Sequence, residues 1–229
     1  MAGDQAMNFI EYADREMLAI NLANRLAGDL ENALLHHETV SFAVPGGTSP
    51  GPIFDVLCAS DLEWGRVHVM LTDERWVPED HERSNTRLVR DRLLTGRAAQ
   101  ARFLPFYAPA EHPDDVLAEV TSPLVPELPI SVLLLGMGAD MHTASLFPGA
   151  PGLGAALAAD APILVAQEPP TQDEIRVSLS AQVLDGALSK HLLIAGDEKR
   201  HALERAMSLP PEEAPVNAVL SQITVHWAP

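Results

Sequence analysis

Cysteine and lysine are scarce in this chain. Of its 229 residues only Cys58 is a cysteine, which excludes an internal disulfide framework and multi-cysteine metal sites. Such a composition suits a reducing compartment, so we expect a cytoplasmic location. Lys190 and Lys199 are the only lysines, which leaves arginine as the main source of positive charge. Because a guanidinium group binds carboxylates and phosphates through paired hydrogen bonds, an anion site should draw on a few arginines and on Lys199.

Positive charge is also in short supply, and long apolar runs are missing. The formal net charge is −17, and such a surface repels nucleic acid and anionic membranes, so we expect neither as a partner. No apolar run approaches the roughly 20 residues that cross a bilayer. Residues 1–17 are acidic and amphipathic, unlike the basic and then apolar layout of a secretory signal. A small anionic metabolite remains a reasonable ligand, provided that the few cations converge.

What the chain does have is enough apolar material for a sizeable core, since hydrophobic residues make up 47% of it. Strand–loop–helix units recur from residue 39 to the end without a linker between them. We therefore predict a single α/β domain over residues 1–229, with a three-layer arrangement of helices around a mainly parallel sheet. Residues 1–7 are a candidate disordered terminus. Either a monomer or a small homo-oligomer is compatible with the sequence.

The individual elements follow from apolar periodicity and turn signals. An apolar stripe at three- and four-residue steps predicts a helix from Asn8 to about Leu35. Strands are predicted at 39–44, 67–72, 130–135, 163–166, 174–180, 191–195 and 223–227. Further helices are predicted at about 53–59, from a cap at Ser84 or Asn85 to 94, and at 114–124, 181–188, 198–207 and 215–220, with an alanine-rich stretch up to 161.

The segment from residue 130 to residue 149 is the strongest candidate for a functional loop. Its apolar start is typical of a strand buried on both faces, and Gly136 and Gly138 then allow a tight turn next to a ligand. Asp140 and His142 follow at once, and 143–148 resembles a short helical turn. Ligands of open α/β sheets bind at the carboxyl ends of strands. We interpret this segment as a catalytic loop. An ordinary solvated loop with an Asp-x-His sequence is the alternative, because it would show the same sequence pattern.

A second loop follows the strand at 39–44. Gly46, Gly47 and Thr48 lie between that strand and the start of a helix, a layout that exposes backbone N–H groups to an anion. The loop is neither a Walker loop nor a G-x-G-x-x-G fingerprint, so nucleotide binding is not supported. We expect it to contact a phosphate or a sugar.

Charged residues near other strand ends are weaker candidates. Asp73 and Arg75 directly follow a core strand, and Arg87 lies in the first turn of the next helix. Arg176 stands within a short strand, where an arginine usually marks an edge or a solvent-facing position. Lys199 lies in the first turn of a helix, which is unfavourable for the helix dipole unless an anion binds there. Each of these could equally be a plain surface residue.

Several segments taken together resemble the 6-phosphogluconolactonase family, which belongs to a larger group with the glucosamine-6-phosphate deaminases. They occur in the family's order and spread over most of the chain: VPGGTSP at 44–50, LTDERWV at 71–77, Ser84-Asn85, LGMGADMHTASLFPG at 135–149, RVSL at 176–179 and AGDEK at 195–199. The sequence departs from the family at Met141, where glycine is usual. A methionine there is expected to demand an ordinary backbone conformation, which bears on how Asp140 and His142 are placed.

The resemblance implies a fold shared with ribose-5-phosphate isomerases and CoA transferases. It also implies hydrolysis of 6-phosphoglucono-1,5-lactone, a step of the oxidative pentose phosphate pathway that needs neither a metal nor an organic cofactor. The implied catalytic residues are His142 and Asp140. The implied substrate-binding residues are Gly46, Gly47, Thr48, Asp73, Arg75, Arg87, Gly138, Arg176 and Lys199.

Ester chemistry leads to compatible roles. A neutral histidine can activate water near pH 7, so His142 is the candidate base and Asp140 the nearest group to orient it. Ser145 and Cys58 lack a nucleophile-elbow context, which favours direct attack by water over an acyl-enzyme. An aldose–ketose isomerase or a deaminase that acts on an amino-sugar phosphate is the enzymatic alternative. The further acid of deaminases that resemble this family is missing from 143–148, which disfavours the deaminase. A sugar-phosphate sensor without turnover is the other alternative, and it would usually need an output domain.

Overall fold

The computed structural model describes residues 7–172 and 174–229, and their central feature is a seven-stranded sheet. Its strands run in the order β1-β10-β9-β6-β2-β3-β5, and every pairing between them is parallel. A second sheet of three antiparallel strands has the order β4-β8-β7. The strands are β1 Asn8–Glu11, β2 Val40–Val44, β3 Val67–Leu71, β4 Asp73–Arg75, β5 Arg102–Leu104, β6 Val132–Gly136, β7 Leu164–Gln167, β8 Arg176–Leu179, β9 Ser189–Ala195 and β10 Thr224–Ala228.

Helices flank the sheet. The α-helices are α1 Arg15–Leu34, α2 Gly51–Leu57, α3 Asn85–Arg92, α4 Leu117–Thr121, α5 Leu153–Leu157, α6 Ala181–Asp185 and α7 Asp197–Ala206, and short 3₁₀ helices span Trp64–Arg66, Gly96–Gln100, Pro113–Asp115, Ser122–Glu127 and Pro215–Val219. The predicted mainly parallel α/β fold is confirmed. No helix in the described part of the chain is both long and apolar enough to cross a membrane.

The core strands are apolar throughout because both of their faces are covered. All five residues of β2 are buried, and Leu133, Leu134 and Leu135 of β6 are completely inaccessible. The long helix α1 packs its predicted stripe, including Leu22, Leu26 and Leu30, into the same core. Burying each such side chain contributes about 1.5–3 kcal/mol, so this layer is a main source of stability.

The start of the chain was predicted wrongly. Residues 8–11 form an edge strand paired with β10 rather than the first turns of the helix. Asp14 explains the boundary, because its side chain accepts a hydrogen bond from the backbone N–H of Met17 at 2.8 Å and so caps α1 at Arg15. The proposed disorder of residues 1–7 concerns mainly residues 1–6, which lie outside the described residues; Met7 packs against the core.

Residues 95–129 also differ from the prediction. The single helix expected at 114–124 is divided into α4 and two 3₁₀ helices, since Pro123 and Pro126 have no N–H to continue an α-helical ladder. The unpredicted strand β5 lies at the far edge of the sheet, where it pairs only with β3 among the described strands.

The strand order places a crevice at one point of the sheet. After β2 the chain moves outward through β3 to β5, and from β6 it moves the other way through β9 to β10. Since β2 and β6 are neighbours, the loops that follow them leave in opposite directions from the same edge. Such a switch point is where α/β sheets bind ligands.

Candidate active site

A pocket of about 260 Å³ opens at this switch point, beyond the carboxyl ends of β2, β3, β6 and β9. Loops from both sheets converge on it. Its lining residues are Pro45, Gly46, Gly47, Thr48, Ser49, Pro50, Asp73, Arg75, Asn85, Gly136, Met137, Gly138, His142, Ala144, Arg176, Leu193 and Lys199. The pocket therefore brings together nearly all of the residues that the sequence suggested, although these are up to 153 positions apart (from Gly46 to Lys199).

The glycine pair after β2 is required by close packing and by backbone conformation. A Cβ atom on Gly46 would lie 1.9 Å from Oδ1 of Asn85, so any side chain there would displace the asparagine. Gly47 has a φ of +82°, which L-residues with a side chain rarely adopt. The turn thus exposes backbone to the pocket beside the hydroxyl of Thr48.

His142 and Asp140 form a hydrogen-bonded pair at the pocket. Nδ1 of His142 lies 2.5 Å from Oδ1 of Asp140, and the same oxygen accepts a hydrogen bond from the backbone N–H of His142 at 3.2 Å. Burial alone would raise the pKa of Asp140, but the hydrogen bond and charge of His142 hold that pKa below its usual value. As an ionised acceptor, Asp140 fixes the proton of the neutral ring on Nδ1, which leaves Nε2 with a free lone pair.

Gly138 is fitted closely to this pair. A Cβ atom there would lie 2.3 Å from the His142 ring and 2.5 Å from Oδ1 of Asp140. The backbone N–H of Gly138 also donates to the carbonyl of His142 at 3.0 Å, which closes the loop on itself. The glycine is therefore needed for the ring to lie where it does.

Met141 does not behave as expected from its departure from the family pattern. Its φ is +68°, so it adopts the left-handed conformation that a glycine would take rather than an ordinary one. Two hydrogen bonds hold it there: its N–H donates to the carbonyl of Gly138 at 3.0 Å, and its carbonyl accepts from the N–H of Val216 at 3.1 Å. This conformation costs roughly 1–2 kcal/mol in a residue with a Cβ.

The residues after His142 form a tight turn and not the helical turn that was predicted. Thr143 and Leu146 make an isolated antiparallel bridge, with the N–H of Leu146 donating to the carbonyl of Thr143 at 3.0 Å. Ala144 between them has a φ of +48°, which is incompatible with a right-handed helix. The hydroxyl of Thr143 donates to the carbonyl of Gly136 at 2.8 Å and anchors the turn to the end of β6.

Three cations line the pocket: Arg75, Arg176 and Lys199. The expectation that Arg176 faces solvent was wrong, because it pairs with Arg75 across the small sheet and is only 4% exposed. Burial and then the charge of Arg75 lower the pKa of Arg176, and burial also lowers the pKa of Lys199. Nε of Arg75 and Nε of Arg176 are buried without a hydrogen-bond partner among the described residues. Two like charges with unpaired donors indicate a site that is completed by an anion.

Asp73 is the only acidic residue among the described residues that line the pocket. Its two oxygens accept hydrogen bonds from the hydroxyls of Thr72 at 2.9 Å and of Ser145 at 2.6 Å. Ser145 is fully buried and its hydroxyl is committed to Asp73, so its geometry is not that of a nucleophile.

Arg87 is not brought to the pocket. Its guanidinium donates to the carbonyl of Asp80 at 3.1 Å and lies 3.7 Å from the carboxylate of Asp91, within a separate surface recess. Sequence reasoning placed it near the site because it follows Ser84-Asn85, but a helical turn directs it outward.

Asn85 is a lining residue that the sequence analysis considered as a helix cap and as part of the family resemblance, but not as a site residue. Its Nδ2 donates to the carbonyl of Asp73 at 2.8 Å. The one available signal was the Ser-Asn pair at the start of a helix. Among the described residues, no group of three or more histidine, cysteine or acidic side chains could hold a metal ion.

The fold and the pocket together define an α/β protein with a crevice lined by cationic side chains and an Asp–His pair at its switch point. The sequence profile described as "Glucosamine-6-phosphate isomerases/6-phosphogluconolactonase" matches residues 13–227. The chain belongs to this family.

Three relatives with this fold illustrate the similarity. The 6-phosphogluconolactonase of Pseudomonas aeruginosa is 41% identical over 216 residues, covering 92% of this chain and 90% of that protein. The 6-phosphogluconolactonase of Mesorhizobium japonicum is 38% identical over 231 residues, covering 97% and 95%. The crystal structure of a 6-phosphogluconolactonase from Shewanella baltica superimposes with a TM-score of 0.94 at 30% identity, covering 98% of each chain.

Proposed function

We propose that this protein is a 6-phosphogluconolactonase, a carboxylic ester hydrolase that converts 6-phospho-D-glucono-1,5-lactone and water into 6-phospho-D-gluconate. The observation that carries the proposal is the His142–Asp140 pair beside a pocket with three cations. One nitrogen of the ring is held by a carboxylate and the other is free. The names and high coverage of the relatives support the same activity.

In the first step water attacks the lactone carbonyl. Nε2 of His142 takes the proton of the attacking water, and Asp140 stabilises the imidazolium that forms. The carbonyl oxygen becomes an oxyanion, which needs donors directed at it before the reaction begins. The unpaired guanidinium donors of Arg75 and Arg176 and the ammonium of Lys199 are the groups available for the oxyanion and the phosphate.

In the second step the tetrahedral intermediate collapses. The bond from the carbonyl carbon to the ring oxygen breaks, and His142 returns its proton to that oxygen, which becomes the hydroxyl at C5. The carboxylic acid formed at C1 releases its proton to solvent, so the product carries a carboxylate where the lactone had a neutral ester. Gly46, Gly47, Thr48 and Gly138 supply backbone and hydroxyl groups for the polar parts of the ligand, and Asp73 accepts from a ligand hydroxyl.

The deaminase alternative is disfavoured by the same pocket. The turn from Thr143 to Pro148 contains no carboxylate, so the additional acid expected of a deaminase is missing there. Asp73, the carboxylate among the described lining residues, lies on β4 and not in that turn.

The proposed function has counterparts in the domain organisation, the cellular location and the partners of the protein. We propose a single domain over residues 1–229, supported by the pairing of β1 with β10 in one continuous sheet. A cytoplasmic location within the pentose phosphate pathway is proposed as well, and the single cysteine supports it. No nucleic acid or membrane partner is proposed for so acidic a chain.

The test is lactone hydrolysis coupled to 6-phosphogluconate dehydrogenase and compared with the enzyme-free blank, because the lactone also opens unaided. We expect clear acceleration by the protein and a loss of about 10²–10⁴-fold in the His142→Ala variant. Acceleration that the variant keeps would transfer the role of base to another residue, such as Asp73. Saturable 6-phosphogluconate binding without acceleration would instead identify a sensor.

A further inference from the structure

Glu74 is a buried acid that the reaction does not use. It is completely inaccessible and lies between two pocket residues, Asp73 and Arg75, in the short strand β4. Because side chains alternate along a strand, Asp73 and Arg75 face the pocket while Glu74 points the other way, towards the start of α3. A charged residue without a partner would not be stable in such a place, so its partners are informative.

Five hydrogen bonds converge on this one carboxylate. Oε1 accepts from the backbone N–H groups of Arg75 and Asn85, both at 2.8 Å. Oε2 accepts from the backbone N–H and the hydroxyl of Thr86, both at 2.8 Å, and from the hydroxyl of Ser84 at 3.3 Å. Burial raises the pKa of Glu74, and these donors oppose that rise. The carboxylate thus joins β4 to the first turn of α3.

Both elements that Glu74 joins carry ligand-facing side chains. Asn85 sits against Gly46 so closely that a Cβ atom there would overlap it, and its Nδ2 donates to the carbonyl of Asp73. Arg75 donates through Nη1 to the carbonyl of Arg83 at 2.5 Å, in the loop that leads into α3. A shift of the start of α3 would therefore move the glycine turn and the guanidinium together.

We propose that Glu74 is a positioning residue, which sets the affinity for the anionic ligand by holding Arg75 and the Asn85–Gly46 contact in register. The inference rests on the proposed function for the identity of that ligand. Its chemistry requires a carboxylate and not merely a polar group, since only an ionised acid accepts five hydrogen bonds without donating any.

The Glu74→Gln variant separates this role from a purely electrostatic one. Glutamine keeps the size of the side chain, and the hydroxyls of Thr86 and Ser84 can turn to accept from its amide. A backbone N–H cannot turn, so at least one of the three N–H groups at Arg75, Asn85 and Thr86 would face another donor. The variant also removes a negative charge near an anion site, which by itself would tighten anion binding. Positioning and charge therefore predict opposite changes in affinity.

The experiment is calorimetric titration of 6-phosphogluconate into the full-length protein and its variants. We expect the Kd to rise about tenfold or more in Glu74→Gln, in line with the loss of one buried hydrogen bond to a charged group. Asp29→Asn is the matched control, because Asp29 also accepts hydrogen bonds, from the buried His191 and the half-buried Ser189, but lies away from the pocket. An unchanged Kd in Glu74→Gln would reduce Glu74 to a structural role, and a lower Kd would reduce it to an electrostatic one. Either result overturns the proposal.

A second pair of variants covers the case in which Glu74→Gln does not fold. Thr86 donates twice to Glu74 but does not line the pocket. Thr86→Val removes its hydroxyl and should raise the Kd by about threefold or more, whereas Thr86→Ser keeps the hydroxyl and should restore wild-type affinity. Equal affinities of the two variants would contradict the proposal.

Amide hydrogen exchange keeps the proposal testable if the wild type binds no 6-phosphogluconate, a result that would refute the proposed function instead. Glu74→Gln, or Thr86→Val in its place, should then speed exchange both at 83–86 and at 46–49, two segments that meet through Asn85. Faster exchange at 83–86 alone, or at neither segment, would overturn the positioning role.

Discussion

Two hydrogen-bonded histidine–aspartate pairs lie in the described part of the chain, and they differ in what surrounds them. At the pocket, His142, which lines it, and Asp140, which stands behind His142, are joined at 2.5 Å, with side chains 31% and 56% exposed. Between α1 and the sheet, His191 and Asp29 are joined at 2.8 Å, with the His191 side chain only 2% exposed. The distances are similar, so the hydrogen bond alone does not distinguish a reactive pair from a structural one.

The difference lies in the second nitrogen of each ring. Nδ1 of His191 lies 3.0 Å from Nε2 of His226, and Nδ1 of His226 lies 2.8 Å from the hydroxyl of Tyr12. One proton arrangement satisfies the whole chain with both rings neutral: Tyr12 donates to His226, His226 to His191, and His191 to Asp29. Each nitrogen of this chain is occupied, whereas Nε2 of His142 has no hydrogen-bond partner among the described residues and lies at the pocket. A free nitrogen beside a pocket is therefore the feature that indicates catalysis.

The largest expected difference between the two pairs is in the free energy of unfolding, and a variant of the buried pair tests it. His191→Ala removes the middle of the buried chain and leaves Asp29 and His226 without a shared partner, so we expect unfolding to become easier by about 3 kcal/mol. The measurement is urea unfolding followed by circular dichroism. At a temperature where the variant is folded, its kcat/KM for the lactone should equal that of the wild type. A selective loss of activity would mean that the buried chain reaches the pocket.

Asp140→Asn tests the pair at the pocket, where the expected loss is in reaction rate and not in stability. The asparagine amide favours the wrong ring tautomer and cannot stabilise the imidazolium, so we expect kcat/KM to fall about 10²-fold, near 2.7 kcal/mol. Because both side chains of the pair are partly exposed, the urea midpoint should change little. The coupled lactone assay and urea unfolding measure the two quantities on the same preparation. A large stability loss with little change in rate would erase the contrast between the two pairs.

Lowering the pH should destabilise the buried chain of Tyr12, His226, His191 and Asp29 through the titration of His226. Burial lowers the pKa of His226 from 6.5 to about 3, with further lowering from His191 and Arg25 and a smaller opposing effect of Asp29. Between these values the unfolded chain binds the extra proton, so the stabilising contribution is complete above pH 6.5 and is lost as the pH falls. We expect a loss of about 1.4 kcal/mol between pH 7.5 and 5.5 from this residue.

The pH effect is read from urea midpoints at the two pH values, with His226→Gln as the control. The variant should be less stable at both values but should show a smaller difference between them. An equal difference in variant and wild type would assign the acid sensitivity to other groups.

The smallest effect concerns the backbone beside the reactive pair. Met141→Gly relieves the left-handed strain but loses side-chain contacts and makes the unfolded chain more flexible, so the unfolding free energy should change by less than about 1 kcal/mol. We expect kcat/KM within about twofold of the wild type, because the backbone conformation is already that of a glycine. In the coupled assay, Gly138→Ala is the contrasting variant, since its Cβ would overlap the His142 ring. A tenfold loss in Met141→Gly would show that the methionine side chain holds His142.

The five inner strands of the central sheet could be predicted from the sequence because burial on both faces demands continuous apolar strands. The edge strands β1 and β5 were missed, since they are only partly buried and lack such a run. In the small sheet, β7 and β8 were predicted as strands, but β4 was not. Asp73–Arg75 is entirely charged, and its burial depends on donors at Ser84, Asn85 and Thr86 and on pairing with β8, which is about 100 residues away. Short strands of this kind are stabilised by tertiary contacts and not by local pattern.

Many of the residues at the candidate site could also be proposed from the sequence, because they follow the predicted apolar strands. Glycines and ionisable residues directly after apolar strands indicate one edge of the sheet, and six segments of the chain line the pocket there. The direction of individual side chains was not visible, as the outward course of Arg87 and the burial of Arg176 show. The direction of a side chain depends on which face of the helix or strand its residue occupies. The sequence pattern of so short an element does not define that face.

The gathering of three cations in a chain of net charge −17 has a kinetic consequence. In dilute buffer of 0.01 M, where the Debye length is about 30 Å, an approaching phosphorylated molecule feels the repulsion of the whole surface before it reaches the pocket. At physiological ionic strength that length is about 8 Å, and only the local cations act. Moderate salt should therefore speed the encounter of this protein with its ligand, the reverse of the dependence seen when long-range attraction guides association.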